Sequence, residues 1–399
     1  MNYASSKHLQ LKSVWLKAAV LGGLWASVEI IIGSFFHNLR LPFGGTILAA
    51  NATILMIAFY QMWPEKGLIW RAGLIAALMK SISPSAIILG PMIGIMSEAL
   101  IIEMFLRVFG NNLVSLSIAG ALSVASALIH KILSLLILYG LNIVKIYVNI
   151  FHYFAKQVRM ENADPWVLAF IVIGVYFVLG VVSAFMGIRV GRRSAKMNLE
   201  TQGFIAENKQ SNNILATNPN QHFRLVLFYL HIILIPTGLF ILNQLPLIYA
   251  TIFVVVYATY CIFHYKSSLR RLKKPMFWLQ LFILTFLAAI FWNGFNSKGS
   301  FFDLEGLLIG FEMNIRAVFV VIAFTSFGIE LRNPVIRDFL FSKGFDKIYS
   351  TLELSFSALP VMIEAMPKPR VFFRHPIKSF SNMMVHAREW LGVFESNSL

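Results

Sequence analysis

The chain has little charge and almost no cysteine. Charged residues make up 13% of its 399 residues and hydrophobic residues 58%, whereas about a quarter of the residues of a soluble domain are charged. This composition excludes an ordinary soluble globular domain and predicts an all-α polytopic membrane protein in a lipid bilayer. The single cysteine, Cys261, excludes an internal disulfide and a metal cluster built on several cysteines.

Enzyme motifs are missing as well. The sequence contains no GxxxxGK[ST], no HExxH and no GxSxG, and its histidines have no metal-ligand spacing. We therefore predict that the chain is not an enzyme and binds no metal or cofactor of its own. The formal net charge of +16 does not indicate nucleic acid, because the basic residues lie beside apolar runs, as they do at the cytoplasmic ends of membrane helices.

Ten apolar runs dominate the sequence. They predict about ten transmembrane helices, six followed by four, and they cover residues 14–36, 43–63, 68–83, 87–108, 114–148, 166–188, 223–243, 245–263, 276–294 and 306–328. The third run is short for a bilayer. The fifth is so long that its end, near residues 142–149, is expected to project beyond the hydrocarbon.

Lysine and arginine lie at alternate gaps between the runs, which orients the chain. The basic gaps are residues 65–71, 107, 189–196, 266–274 and 332–347. Since cytoplasmic loops carry the excess of positive charge, these gaps and both termini are predicted to be cytoplasmic. Polar residues 191–222 are predicted to form a cytoplasmic linker between an N-terminal half, 1–190, and a C-terminal half, 223–399.

Beyond about residue 333 the chain is amphipathic without a clean span. Apolar residues recur at helical spacing over 335–345 and 350–366, and a last helix is expected near 377–393. Such helices either anchor the C-terminus in the membrane interface or dock onto a cytoplasmic partner.

Among the ionisable residues inside the apolar runs, Glu29, Glu98, Glu103, His130 and Lys131 are candidates for a function, and all but Glu103 are grouped as an intramembrane polar cluster. The similar depth of Glu98 and Lys131 on consecutive helices predicts an ion pair within this cluster. The cluster either neutralises itself and fixes helix packing, or forms a substrate or proton site.

The outward side of the N-terminal half carries basic residues where positive charge is normally kept away. Examples are His37, Arg40, Lys80 and Lys145. A cationic mouth favours an anionic or carboxylate-bearing solute. Long basic side chains that bind lipid headgroups are the alternative.

The order of these parts resembles energy-coupling factor (ECF) importers. The N-terminal half resembles their substrate-binding S component, through "LRLPFGGTILAANATIL" and "KSISPSAIILGPMIGIMSEALIIE". The C-terminal half resembles their transmembrane coupling T component, through "GLLIGFEMNIRAVFVVIAFTSFGIELRNPVIRDFL" and "KIYSTLELSFSALPVMIEAM". Together the two matches cover nearly the whole chain.

This resemblance implies a membrane subunit of an ATP-driven importer for a vitamin or related micronutrient, in the bacterial cytoplasmic membrane. The S half captures the solute outside and topples in the bilayer, driven by separate P-loop ATPase subunits that use the ATP. The implied substrate-binding residues are His37, Arg40, Asn51, Lys80, Ser81, Asn142 and Lys145. The implied ATPase-coupling residues are Arg332, Arg337, Arg370 and Arg388, although the glycine of the family's Ala-Arg-Gly motif follows neither Arg370 nor Arg388.

Two other classes of function remain open from the residues. A stand-alone secondary transporter would use Glu98, His130 and Lys131 for proton coupling. A membrane-embedded enzyme acting on lipids would hold a phosphate with the outer basic residues.

Overall fold

The computed structural model is helical throughout the residues that it describes. These are residues 13–38, 43–81, 89–160, 163–196, 225–265, 275–293, 302–330, 346–367 and 369–397, and they contain no β-strand. The predicted all-α class is confirmed. The helices are α1 (Ser13–Asn38), α2 (Gly44–Met62), α3 (Leu68–Ser81), α4 (Leu89–Phe109), α5 (Leu113–Tyr139), α6 (Asn142–Gln157), α7 (Pro165–Lys196), α8 (Leu225–Gln244), α9 (Leu247–His264), α10 (Pro275–Phe291), α11 (Leu304–Glu330), α12 (Asp346–Glu364), α13 (Pro369–Arg374) and α14 (Pro376–Asn397).

Seven of these helices are long and apolar enough to cross a membrane, namely α1, α2, α5, α7, α8, α9 and α11. The chain is therefore an α-helical integral membrane protein with several spans. Helix α10 is apolar but shorter. Helix α3 has 14 residues, or about 21 Å against about 30 Å of hydrocarbon, and α4 carries two glutamates and an arginine. A membrane crossing by α3, α4 or α10 stays a prediction, and so does the total of ten spans.

The fifth apolar run contains two helices, a break that the sequence analysis did not predict; projection of residues 142–149 beyond the hydrocarbon stays a prediction. Helix α5 ends at Gly140, whose φ of 73° lies in the left-handed region that favours glycine. Helix α6 then begins and packs along α10. The Asn149 side-chain amide donates to the carbonyl oxygens of Phe291 at 2.7 Å and Trp292 at 2.9 Å.

Helix α1 lies at the centre of the N-terminal half. It packs against α2, α3, α12 and α14, and Leu21, Leu24 and Trp25 are fully buried. A helix that is apolar on all sides is expected to be enclosed by other helices. Helix α1 therefore contacts both the N-terminal helices and the C-terminal helices α12 and α14.

A row of glycines brings α7 close to α2 and α5. A Cβ atom on Gly187 would lie 2.9 Å from the carbonyl oxygen of Ile54, and one on Gly191 would lie 2.6 Å from that of Ala58. Small residues allow this approach of two backbones in membrane helices. Helix α7 continues to Lys196, past residue 190 where the sequence analysis ended the N-terminal half.

The C-terminal helices pack on the N-terminal half. The Ser355 hydroxyl on α12 donates to the carbonyl oxygen of Ala19 on α1 at 3.0 Å, and Phe380 and Trp390 of α14 are buried in the core that contains α1. Helices α12 and α14 cover the segments predicted at 350–366 and 377–393. The segment predicted at 335–345 lies outside the described residues.

Glu103 has a structural role at the first turn of α3. Its carboxylate accepts from the backbone N–H groups of Gly67 at 2.6 Å and Ile69 at 3.1 Å, and from the side chain of Arg107 at 2.8 Å. It thereby satisfies backbone donors that a helix leaves unpaired at its N-terminus, where negative charge is also favoured.

Replacing this carboxylate is expected to destabilise the protein. Glu103→Gln should cost about 1–3 kcal/mol, because the amide places an N–H₂ group against backbone donors and removes a charge-assisted bond. Thermal unfolding of the purified protein in detergent measures the effect. Glu353→Gln, at an exposed position on α12, is the control, and equal unfolding temperatures for the two variants would contradict this role.

Candidate functional site: a cavity between the two halves

A cavity of about 610 Å³ lies among the helices of the N-terminal half and is closed on one side by α11. Its volume falls within the range of small-molecule sites. Helix α11 contributes Val320, Val321 and Phe324 to its wall, and the remaining lining residues come from α1 to α5 and α7. The site is therefore built from both halves of the chain.

All four residues of the predicted intramembrane cluster line this cavity. Glu29, Glu98, His130 and Lys131 come from α1, α4 and α5, and Lys80 joins them from the last turn of α3. Polar side chains in membrane helices turn towards the interior of the bundle, because contact with lipid costs free energy. This rule brings together residues that are far apart in the sequence.

The ion pair differs from the expected one. Lys80 Nζ lies 3.4 Å from the Glu29 carboxylate and 3.4 Å from the Glu29 carbonyl oxygen. Glu98 and Lys131, both among the described residues, form no ion pair within 4 Å, which corrects the expected Glu98–Lys131 pair. Lys80, in the last turn of α3, lies beside Glu29, whereas Lys131 is exposed.

Glu98 is buried without a partner. Its side chain is 6% exposed and opens into the cavity. The hydrogen bonds and ion pairs found in the described part of the chain include none to Glu98, His130 or Lys131. With His130 neutral, the formal charges of Glu29, Glu98, Lys80 and Lys131 sum to zero, so these lining residues give the cavity no net formal charge.

Of the predicted substrate-binding residues, Lys80 lines the cavity and three others do not. Asn51 is buried in α2, and Asn142 and Lys145 lie on α6. Lys145 Nζ is 3.7 Å from the centre of the Trp292 ring, a cation–π contact. Arg40 and the side chains of His37 and Ser81 lie outside the described residues, so the basic outer mouth stays a prediction.

The sequence analysis missed several lining residues. The Thr46 hydroxyl donates to the Tyr176 hydroxyl at 2.8 Å, and both residues line the cavity together with Ser134. Isolated hydroxyl groups in apolar runs carry no signal of their own, since helices satisfy them locally. The apolar wall from α11 could not be foreseen because it belongs to the other half.

A second polar network joins α8, α9 and α11. The two ring nitrogens of His231 lie 2.8 Å from the Tyr257 hydroxyl and 3.0 Å from the Tyr265 hydroxyl, and Tyr265 donates to Glu330 at 2.7 Å. All four side chains are buried and hydrogen-bonded to one another. The network therefore fixes the packing of three helices. In the sequence, the signal for this network was His231, a histidine within the apolar run at 223–243.

The end of α5 packs against the middle of α11. The guanidinium of Arg316 occupies the space that a Cβ atom on Gly140 would need, and Arg316 lies about 18 Å along α11 from Leu304. If the chain has the ten predicted spans, neighbouring helices alternate in direction, and the end of α5 and the start of α11 belong to the same face of the membrane. In that predicted topology, the N-terminal half is offset from the C-terminal half by a tilt or a shift.

Comparison of the chain with protein-family models, with curated proteins and with solved structures finds no match. Among the described residues, no group of three or more His, Cys, Asp or Glu side chains is placed to hold a metal ion. The geometry itself therefore carries the functional argument. It offers a small-molecule site with unpaired acidic and basic groups and an apolar wall shared by the two halves.

Proposed function

We propose that the chain is the membrane subunit of an ATP-driven ECF-type importer for a vitamin or related micronutrient. The N-terminal half captures the solute, and the C-terminal half couples it to separate P-loop ATPase subunits. One observation carries the proposal: α1 supplies Glu29 to the cavity and, further along the same helix, packs on α12 at Ala19 and Gly23.

This arrangement gives a mechanical route from the C-terminal helices to the cavity. Ala19 and Glu29 are about 15 Å apart along α1. Since a helix buried among others moves as a rigid body, displacement of α12 shifts Glu29 and with it the Lys80 pair. ATP binding and hydrolysis on partner subunits would supply the displacement.

The offset between the halves supports toppling of the N-terminal half. The cavity-lining residues of α5 include Ser134 and Leu138 near its C-terminal end, yet this end packs against the middle of α11. In the proposed orientation, with both termini cytoplasmic in the bacterial cytoplasmic membrane, the cavity then lies deeper than upright spans would place it. A tilted N-terminal half accounts for this depth.

The proposed ATPase contacts are Arg332, Arg337, Arg370 and Arg388. Arg388 lies on α14, with its Nε 3.3 Å from the Met62 sulfur at the end of α2. The side chain of Arg370 on α13 is not among those described, and Arg332 and Arg337 lie outside the described residues. Arg388 thus stands where the C-terminal helices contact the N-terminal half.

A proton-coupled secondary transporter is the second candidate. The observation that favours it is the unpartnered state of Glu98, His130 and Lys131 in the cavity. Ionisable groups of this kind carry protons in transporters. The two candidates differ in the energy source that opens the cavity alternately to the two sides of the membrane.

Access to the cavity distinguishes the candidates without knowledge of the solute. In a Cys261→Ala background, Ser134→Cys places one thiol in the cavity, and labelling by an impermeant maleimide is followed in vesicles of the native membrane. We expect ATP to change the labelling rate several-fold and an uncoupler to have no effect. Ser357→Cys, at an exposed position on α12, reports sidedness. A rate that follows the uncoupler and ignores ATP would favour the secondary transporter.

A further inference from the structure

The cavity contains a buried acid that the protein does not neutralise. Glu98 is 6% exposed, lines the cavity and has no hydrogen-bond or ion-pair partner in the described part of the chain. Burying a carboxylate without a partner costs free energy. A bound group with a positive charge would recover this cost.

We infer that the cavity binds a small dipolar solute, whose cationic nitrogen meets the Glu98 carboxylate and whose anionic group meets Lys131 and His130. The inference rests on the proposed function, because it treats the cavity as the site of the imported solute. It narrows the anionic or carboxylate-bearing solute that the basic outer residues suggested from the sequence to one that also carries a positive charge.

The charge balance of the site selects this class of solute. Glu29 is already paired with Lys80 at 3.4 Å, so Glu98 and Lys131 are the opposite charges left for a ligand. A solute with only negative charge would neutralise Lys131 and leave Glu98 unpaired beside Glu29. A solute with only positive charge would leave Lys131 unpaired. One charge of each sign satisfies both groups.

The rest of the lining indicates an apolar body between the charged groups. Leu48, Ile93 and Ile95 face the cavity from the N-terminal half, and Val320 and Phe324 face it from α11. Apolar walls with a few placed polar groups are typical of sites for small organic molecules. The solute is therefore an organic amine or protonated ring nitrogen that also carries a carboxylate or a phosphate.

Three small molecules that each have a six-carbon chain serve as probes to test the inference on the purified full-length protein in detergent. They are ε-aminocaproate, hexylamine and hexanoate, which carry both charges, the positive charge and the negative charge respectively. The dependence of the unfolding temperature on probe concentration gives each dissociation constant. We expect ε-aminocaproate to bind most tightly, and hexylamine to bind more tightly than hexanoate.

Variants of Glu98 and Lys131 test which charged group of the protein binds which charged group of the probes. Glu98→Gln should weaken hexylamine and ε-aminocaproate roughly tenfold to a hundredfold, the range of a hydrogen bond to a charged group, and should leave hexanoate unchanged. Lys131→Gln should leave hexylamine unchanged and abolish the advantage of ε-aminocaproate over it. Glu98→Asp, which keeps the charge, should retain the preference for the amine if Glu98→Gln does not fold.

Three results would overturn the inference: equal binding of hexanoate and hexylamine, unchanged amine binding in Glu98→Gln, or no response to any of the probes. The measurement needs no ATPase subunit. If the inference fails but ATPase subunits associate with the chain, the proposed importer still stands. If the probes bind but no ATPase subunits associate, the chain is a transporter of another kind.

Discussion

Gly180→Leu is expected to abolish almost all folded protein. A Cβ atom on Gly180 would lie 2.5 Å from the Ala121 Cα on α5. Because the obstacle is backbone, no side-chain rotation relieves it, and α5 and α7 must separate. Overpacking of a core costs typically 1–3 kcal/mol, and separation of two helices adds the loss of their contacts. The monodisperse yield after size-exclusion chromatography in detergent measures the effect.

Helix α7 offers its own control for this experiment. Gly174 lies on the same helix, and a Cβ atom there would meet nothing within 4 Å. Gly174→Leu adds the same side chain and should leave the yield near that of the wild type. Equal yields of the Gly174 and Gly180 variants would contradict the close packing of α7 against α5.

Gly23→Phe is expected to uncouple the C-terminal helices from the cavity. A Cβ atom on Gly23 would lie 2.8 Å from the Met362 sulfur on α12. The end of a methionine side chain can shift, so Gly23→Ala should be tolerated, whereas a phenyl ring needs the space that the buried Met362 fills. We expect the several-fold change in cavity labelling by ATP to be lost, while hexylamine still binds.

A second-site change checks that this effect arises from the contact between α1 and α12. Met362→Ala removes the obstructing side chain and should restore part of the ATP response in the Gly23→Phe background. Gly392→Phe on α14, where a Cβ atom would meet nothing within 4 Å, should respond to ATP as the wild type does. Loss of the response in Gly392→Phe, or no loss in Gly23→Phe, would contradict a coupling role for this contact.

Local patterns in the sequence predicted the helices well. The run at 223–243 corresponds to α8 (Leu225–Gln244) and the run at 245–263 to α9 (Leu247–His264), because length and apolar content decide whether a segment is stable in lipid. The break at Gly140 was missed since apolar residues continue past it. Polar side chains at helical spacing from Asn142, including Lys145 and Asn149, were the signal of a separate amphipathic helix.

The candidate site was predicted in part, for a physical reason. Glu98, His130 and Lys131 were singled out because ionisable groups in membrane helices avoid lipid, and that rule also places them in one cavity. The partner of Glu29 was not foreseen. Lys80 lies 3.4 Å from the Glu29 carboxylate, and nothing within either apolar run indicated that these two side chains meet.

Contacts between distant parts of the chain were beyond the reach of sequence reasoning. The amphipathic pattern of residues 350–366 predicted a helix with one face to bury, but not which surface would cover it. In the structure that surface is α1, through Ser355 and Ala19. The contribution of Phe324 to the cavity wall could not be predicted for the same reason, since a pattern within one helix carries no information on its neighbour.

Affinity purification of the tagged chain from its native membrane in mild detergent, with mass spectrometry of the copurifying proteins, tests the central claim most directly. The account predicts P-loop ATPase subunits in stoichiometric amounts, and their loss in the Arg370→Glu/Arg388→Glu double variant, which should still bind hexylamine. A preparation without any ATPase, reproduced after crosslinking in the membrane, would contradict the importer and favour the proton-coupled transporter.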